Sequence, residues 1–452
     1  MAARGLILRA SSLSNRQINV VSRSETNIKP DSLTPLNLRH YKLPYHDRMK
    51  PDFYMPFLLF YPNPQPSDHK TSIAELLQHS LSKTLSKYYP FAGRLGSSGS
   101  YVDCNDEGVH FVEAQIGCNL SEILEKAPVE DEEEGFGQLA QLFPPSSIWH
   151  KVSGSPLVLV QLNHFSCGGL AVAACLSHRV ADGGTLLSFL SYWANMSRNP
   201  SDHEKLAQLE PCFVQGVLPH SYDDDSVATE VLLPEKNWIT TEIVFHNSKI
   251  AELKAAQQKQ DKLHNVVEDQ KYTRNELVTA LLFRCAVAAA TSNSEAFPNS
   301  VLFQVVNVRS LIDPPLPQTS VGNLVSSNHI AASSKSETEL HSLVGQMRKG
   351  KKQLAGIKDL VRKEVLPLFD KYAKNSYKFY VVTSLCNYPV FDEMDFGWGR
   401  PVGVTPVDAP FGNFFLLMDT PNGDGIKATV SLGKEDMKNL RANEELLAYA
   451  SF

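Results

Sequence analysis

Apolar positions along this chain follow two rhythms. Continuous or alternating apolar runs predict strands over residues 53–62, 109–113, 157–165, 170–177, 241–246, 301–308, 321–332, 377–385, 413–418 and 426–432. Between them Ile73, Leu76, Leu77, Leu81, Leu85 and Tyr88 recur at three- and four-residue intervals, which predicts a helix over 72–88. Pro90 stops it, and the segment 89–95 reads as a packing corner. Thr273 and Glu276 form a capping box ahead of a helix over 277–291, and a closing helix is expected over 434–450. Strands and helices intermix in both halves, and no internal repeat is found. The pattern predicts an α/β (α+β) chain with two sheets.

At 452 residues the chain is long for a single core, so two domains are expected. Residues 197–238 carry Pro200, Pro211, Pro219, Pro234 and three consecutive aspartates, and read as a crossover linker. The expected units are a tail over 1–20, expected to be disordered, a first domain over 21–196 that also receives about 377–400, and a second domain over 239–452. Residues 1–24 hold Arg4, Arg9, Arg16, Arg23, several serines and no acid, so a transit peptide is the alternative to a cytoplasmic protein with a plain tail.

The net charge of −6 argues against a nucleic-acid partner, because binding phosphates wants a basic surface. The acidic run 130–134 reads as a solvated loop. Seven scattered cysteines form no C-x-x-C pair, so neither a metal site nor a disulfide framework is implied. No apolar segment reaches the ~20 residues that span a bilayer. Residues 345–351 nearly spell a phosphate-binding loop, but Lys352 stands where a hydroxyl is needed, and Leu343, Val344 and Met347 mark a basic helix face. There is no G-x-S-x-G, which argues against an α/β-hydrolase.

The apolar run 170–177 leads into His178-Arg-Val-Ala-Asp182 and then Gly183-Gly184, after which Thr185 is expected to cap a helix over 186–193. The same His-x-x-x-Asp spacing recurs at His220 and Asp224, but in a polar turn-forming stretch that reads as a solvated loop. A histidine delivered at the end of a buried strand suits proton abstraction near neutral pH. Read from its spacing alone, His178 is better explained as a buried core histidine, and Asp182 could be a carboxylate orienting the imidazole. A second motif, Asp395-Phe-Gly-Trp-Gly399, is a turn whose glycines permit unusual backbone angles and whose aromatics anchor it.

In that order and separation the two motifs resemble the plant CoA-dependent acyltransferases called the BAHD family. The resemblance runs from about residue 20 to the C-terminus and includes Cys104-Asn-Asp106, Cys167-Gly-Gly-Leu170, Asn307-Val-Arg309 and Val321-Gly-Asn-Leu324. It implies a two-domain, chloramphenicol acetyltransferase-like fold with a channel between mixed sheets. It also implies His178 as the general base, with Asp182 turned away to pair with Arg309 in support of the loop. The motif of Asp395, Phe396, Gly397, Trp398 and Gly399 is implied to be architectural, with the Trp398 indole as a possible oxyanion donor.

Ser384, Leu385 and Asn387 stand where the family often has Ser-Trp-Cys-Arg, which marks them as channel candidates with an altered pocket. The absence of Tyr-Phe-Gly-Asn-Cys weakens a flavonoid glucoside malonyltransferase. The resemblance therefore implies a monomer that transfers acetyl from acetyl-CoA to a hydroxyl of an alkaloid or terpenoid, with no metal and no resident cofactor. An aroyl or hydroxycinnamoyl transferase and an inactive binding relative are the alternatives.

Overall fold

The computed structural model describes residues 18–62, 64, 72–124, 139–144, 154–214, 237–263, 271–293, 296–355, 371–405 and 411–452. The acidic run, His220 and the Arg-rich first residues lie outside them. Two six-stranded sheets organise the chain. The first runs Val20–Ile28, Val109–Ile116, Val158–Phe165, Leu170–Ser177, Tyr54–Tyr61 and Gly403–Thr405 in spatial order. The second runs Ile239–His246, Gly425–Leu432, Phe414–Asp419, Lys378–Ser384, Ser300–Asn307 and Val325–Ala332. Both mix parallel and antiparallel neighbours.

Leu170–Ser177 is buried at every position, and its period of two explains why. Leu170, Val172, Ala174 and Leu176 face the core beneath the helices Ile73–Lys87 and Gly183–Arg198. Ala171, Ala173 and Cys175 face a second core with Leu58, Leu142 and Phe143. A strand covered on both sides has its end fixed from both sides, and His178 follows it directly. The helices Asn247–Leu263, Arg274–Thr291 and Leu340–Gln353 cover the second sheet, and the Thr273–Glu276 capping box is formed as read.

Several elements differ from the sequence reading. The strand expected over 321–332 is broken into Ser320–Val321, paired with Cys212–Phe213, and Val325–Ala332. Gly322 between them has φ +130°, a region open to glycine. The closing helix is two, Lys434–Arg441 and Glu444–Tyr449, the second capped by the Asn443 side chain. The segment 377–400 divides: Lys378–Ser384 is an interior strand of the second sheet, while Val390, Met394, Phe396 and Trp398 pack into the first core. The chain there passes from one hydrophobic core to the other. Among the described residues no helix is long and apolar enough to cross a membrane.

Candidate active site

The histidine is held by its backbone and by its ring. Its N–H donates to the Phe53 carbonyl at 2.9 Å, which carries the pairing with the Tyr54–Tyr61 strand one step beyond Ser177. Nδ1 lies 2.9 Å from the Ala181 carbonyl oxygen. A carbonyl only accepts, so Nδ1 carries the proton and Nε2 keeps its lone pair. No protein group among the described residues bonds Nε2. The Phe53 ring meets the imidazole edge-on at 5.2 Å. The residue is enclosed by protein although part of its surface stays accessible. This burial, reinforced by the nearby Lys50 cation, pushes the imidazole pKa down to about 4, against the pull of the Ala181 carbonyl and Asp182. The ring is therefore neutral at cellular pH.

Asp182 does not touch the imidazole. It caps the Gly183–Arg198 helix, accepting from the Thr185 N–H at 2.8 Å. This corrects the expectation that Thr185 is the cap: the helix starts earlier, and the longer carboxylate reaches back to the free N–H. Asp182 also accepts from the Leu324 N–H at 2.9 Å and from Arg309 through two parallel bonds of 2.9 Å each. With both oxygens occupied by four donors, the orienting-carboxylate reading does not apply. Burial by itself would raise the Asp182 pKa, but the Arg309 charge and the N–H donors outweigh it and hold the carboxyl below its usual value.

Arg309 is fully buried. Besides the carboxylate, it donates to the Ser320 carbonyl and to the Thr185 hydroxyl. Gly184 packs closely beside it: a Cβ there would lie 3.0 Å from the guanidinium and 3.1 Å from the Tyr388 hydroxyl, so both would have to give way. The ion pair joins the helix after the Leu170–Ser177 strand to the loop after Ser300–Asn307, and so ties the first half of the chain to the second.

Two residues of this region were missed. The Asn323 amide donates to the His178 carbonyl oxygen at 2.7 Å and to an Asp47 carboxylate oxygen at 2.6 Å. Segment 321–324 was singled out from sequence, but without a role for Asn323. Nothing in the chain links Asp47 to a partner 276 positions away.

The second motif stands apart. Asp395 accepts from the Gly397 and Gly399 N–H groups at 2.8 and 3.0 Å, closing a tight turn in which both glycines have positive φ. Phe396 and Trp398 are buried and stacked, and Tyr61 meets the Trp398 ring edge-on at 5.9 Å. Tyr61 pairs with Leu170, whereas Tyr54 pairs with Ser177. At ~3.4 Å per residue, the turn and His178 therefore sit at two ends of one strand about 24 Å long. That separation removes the expected oxyanion role of Trp398.

The channel candidates divide similarly. The Leu385 side chain lies 3.1 Å from where a Gly183 Cβ would stand, against the start of the Gly183–Arg198 helix. The Ser384 hydroxyl instead accepts from Asn275 at 2.6 Å. Asn387 is exposed, adopts φ +67°, and donates its N–H to Asp419.

Residues 18–447 match the family described as the Transferase family, and the chain belongs to it. This is the BAHD family of CoA-dependent acyltransferases, so the chain is an acyltransferase with acyl-CoA as co-substrate. It is 36% identical over 455 residues to 17,18-epoxy-17-hydroxycur-19-ene N-malonyltransferase of Strychnos nux-vomica, covering 99% of this chain and 93% of that protein. It is 34% identical over 458 residues to deacetylvindoline O-acetyltransferase of Catharanthus roseus, covering 95% and 97%. The solved structure of vinorine synthase superposes with a TM-score of 0.75 at 29% identity, covering 96% of this chain and 99% of that one.

Proposed function

We propose that this acyltransferase moves an acetyl group from acetyl-CoA to a hydroxyl of a plant specialised metabolite of the alkaloid or terpenoid class, with His178 as general base. The observation that carries this reading is the neutral imidazole whose Nδ1–H is fixed on Ala181, leaving the Nε2 lone pair free. Nε2 takes the proton of the acceptor hydroxyl as its oxygen attacks the thioester carbonyl. The tetrahedral intermediate collapses, the carbon–sulfur bond breaks, and the imidazolium returns its proton to the departing thiolate. The products are an ester and free CoA. A thioester is already activated, so no covalent enzyme intermediate is needed.

The 34% identity to an O-acetyltransferase supports acetyl as the donor group. The 36% identity to an N-malonyltransferase makes malonyl-CoA and amine acceptors the natural comparison. The test is thiol release by the purified protein with acetyl-, malonyl- and p-coumaroyl-CoA against a panel of plant alcohols and amines. Acceptor-dependent release, greatest with acetyl-CoA and lost in His178→Ala, is the expected result. Release retained in that variant would refute the base assignment, and release with another donor only would refute the acetyl assignment.

A further inference from the structure

Three consecutive residues in the break of the strand each grip a different part of the segment 178–185. Gly322 exchanges hydrogen bonds with the Thr185 hydroxyl, Asn323 donates to the His178 carbonyl, and the Leu324 N–H donates to Asp182. Asn323 is in turn held by Asp47, one of whose oxygens accepts from both its backbone N–H and its side-chain amide at 2.6 Å. Asp47 and Asn323 are both buried. Gly322 has a φ of +130° that disfavours a side chain, and a Cβ there would stand 3.2 Å from the other Asp47 oxygen.

The backbone of His178 is thus fixed on both sides of its Cα, its N–H on Phe53 and its carbonyl, part of the following peptide, on Asn323. Asp47 lies only six residues before Phe53, so one short stretch of the first half governs both anchors. The Arg309–Asp182 pair, by contrast, touches neither of these two groups.

We propose that Asp47 and Asn323 are positioning residues for acyl transfer, forming a bridge that sets the orientation of the His178 backbone and hence the direction of its free Nε2. The inference rests on the reading of His178 as base. Neither residue touches substrate in this account. Without the bridge the His178 carbonyl loses its partner, the peptide is free to turn, and the Nδ1–Ala181 bond is no longer held in line. A misplacement of about 1 Å at such a group costs up to roughly a hundredfold in rate.

The test compares Asp47→Ala, Asn323→Ala and Asp47→Asn with wild type, and with His178→Ala as the base control. Turnover is followed with acetyl-CoA and an acceptor from the thiol-release panel. Nitrogen-15 NMR of ring-labelled histidine, on protein alone, reads the His178 tautomer. The alanine variants are expected to lower kcat about 10- to 100-fold with KM for acetyl-CoA changed by less than about threefold. They are also expected to shift His178 from the Nδ1–H form to a mixture. Asp47→Asn is expected to retain activity and tautomer, because an amide oxygen accepts the same two bonds.

Folded alanine variants with kcat within about twofold of wild type and an unchanged tautomer would overturn the proposal. So would an impaired, folded Asp47→Asn. That variant decides the matter alone if the alanine variants do not fold. Retained transfer in His178→Ala would instead sink the base reading, while the tautomer measurement still tests the bridge.

Discussion

Arg309 and Asp182 meet through two parallel hydrogen bonds of 2.9 Å, and both side chains are sealed from solvent. The two lie 127 positions apart, on opposite sides of the division between the sheets. The carboxylate that a sequence motif places four residues after the histidine therefore acts on the fold and not on the imidazole. Its charge is compensated inside the protein, and among the described residues the hydrogen bond of the imidazole ring is made to the Ala181 carbonyl instead.

Removing one side of that pair leaves an uncompensated buried charge. Arg309→Leu is expected to destabilise the protein by about 3–5 kcal/mol and to abolish transfer. Arg309→Lys recovers little, because an ammonium cannot supply two parallel bonds. Thermal unfolding checks both, and a melting temperature within a degree of wild type for Arg309→Leu would contradict the account.

The pH dependence follows from the sign of the His178 shift. Its pKa in the fold, about 4, lies below the ordinary value of 6.5. The acid limb of kcat/KM is therefore expected near 4. The stability linked to this group is present above pH 6.5 and is lost as pH falls from 6.5 towards 4. Lys50→Met removes a nearby cation, so it should move the limb upward. A limb already at 6.5 in wild type would count against the description of this site.

Gly184 tests the packing around the ion pair. In Gly184→Ala the new methyl meets the Arg309 guanidinium at 3.0 Å, and the bonds to Asp182, Ser320 and Thr185 leave that group no room to retreat. A loss of about 1–3 kcal/mol is expected, with reduced kcat. Chemical denaturation measures it, and unchanged stability would show that the loop yields more easily than its bonding implies.

The aromatic turn should behave as a structural element. Phe396→Ala vacates a fully buried ring site among Tyr61, Trp193 and Trp398, at a cost of about 3–5 kcal/mol. Trp398→Phe is expected to keep most of the packing and most of kcat. A folded Trp398→Phe with kcat reduced a hundredfold would restore a chemical role to the indole.

Much of this was legible in the chain. The run 170–177 announces a strand buried on both faces because both of its alternating sets are apolar, and the following Gly-Gly marks where the chain must turn close to other groups. His178 could be chosen over His220 on that ground alone. The capping box at Thr273 and Glu276 needs only neighbours in sequence, and it formed as read. Local chemistry of this kind is written in spacing, because helix and strand geometry fix which near neighbours meet.

The contacts that make His178 usable were not so written. The break at Gly322, the division of 377–400 between two cores, the Asp47–Asn323 bridge and the distance between Trp398 and the histidine all depend on how two sheets are brought together. Hydrogen bonds between groups hundreds of residues apart leave no periodicity, and each partner alone looks like an ordinary polar residue. The sequence by itself determined most of the strands and helices, the family and the candidate histidine. The tertiary structure decided which backbone N–H groups join Arg309 on Asp182, which imidazole nitrogen is free and how Asp47 and Asn323 hold His178, because those depend on distances between segments that only the packed fold sets.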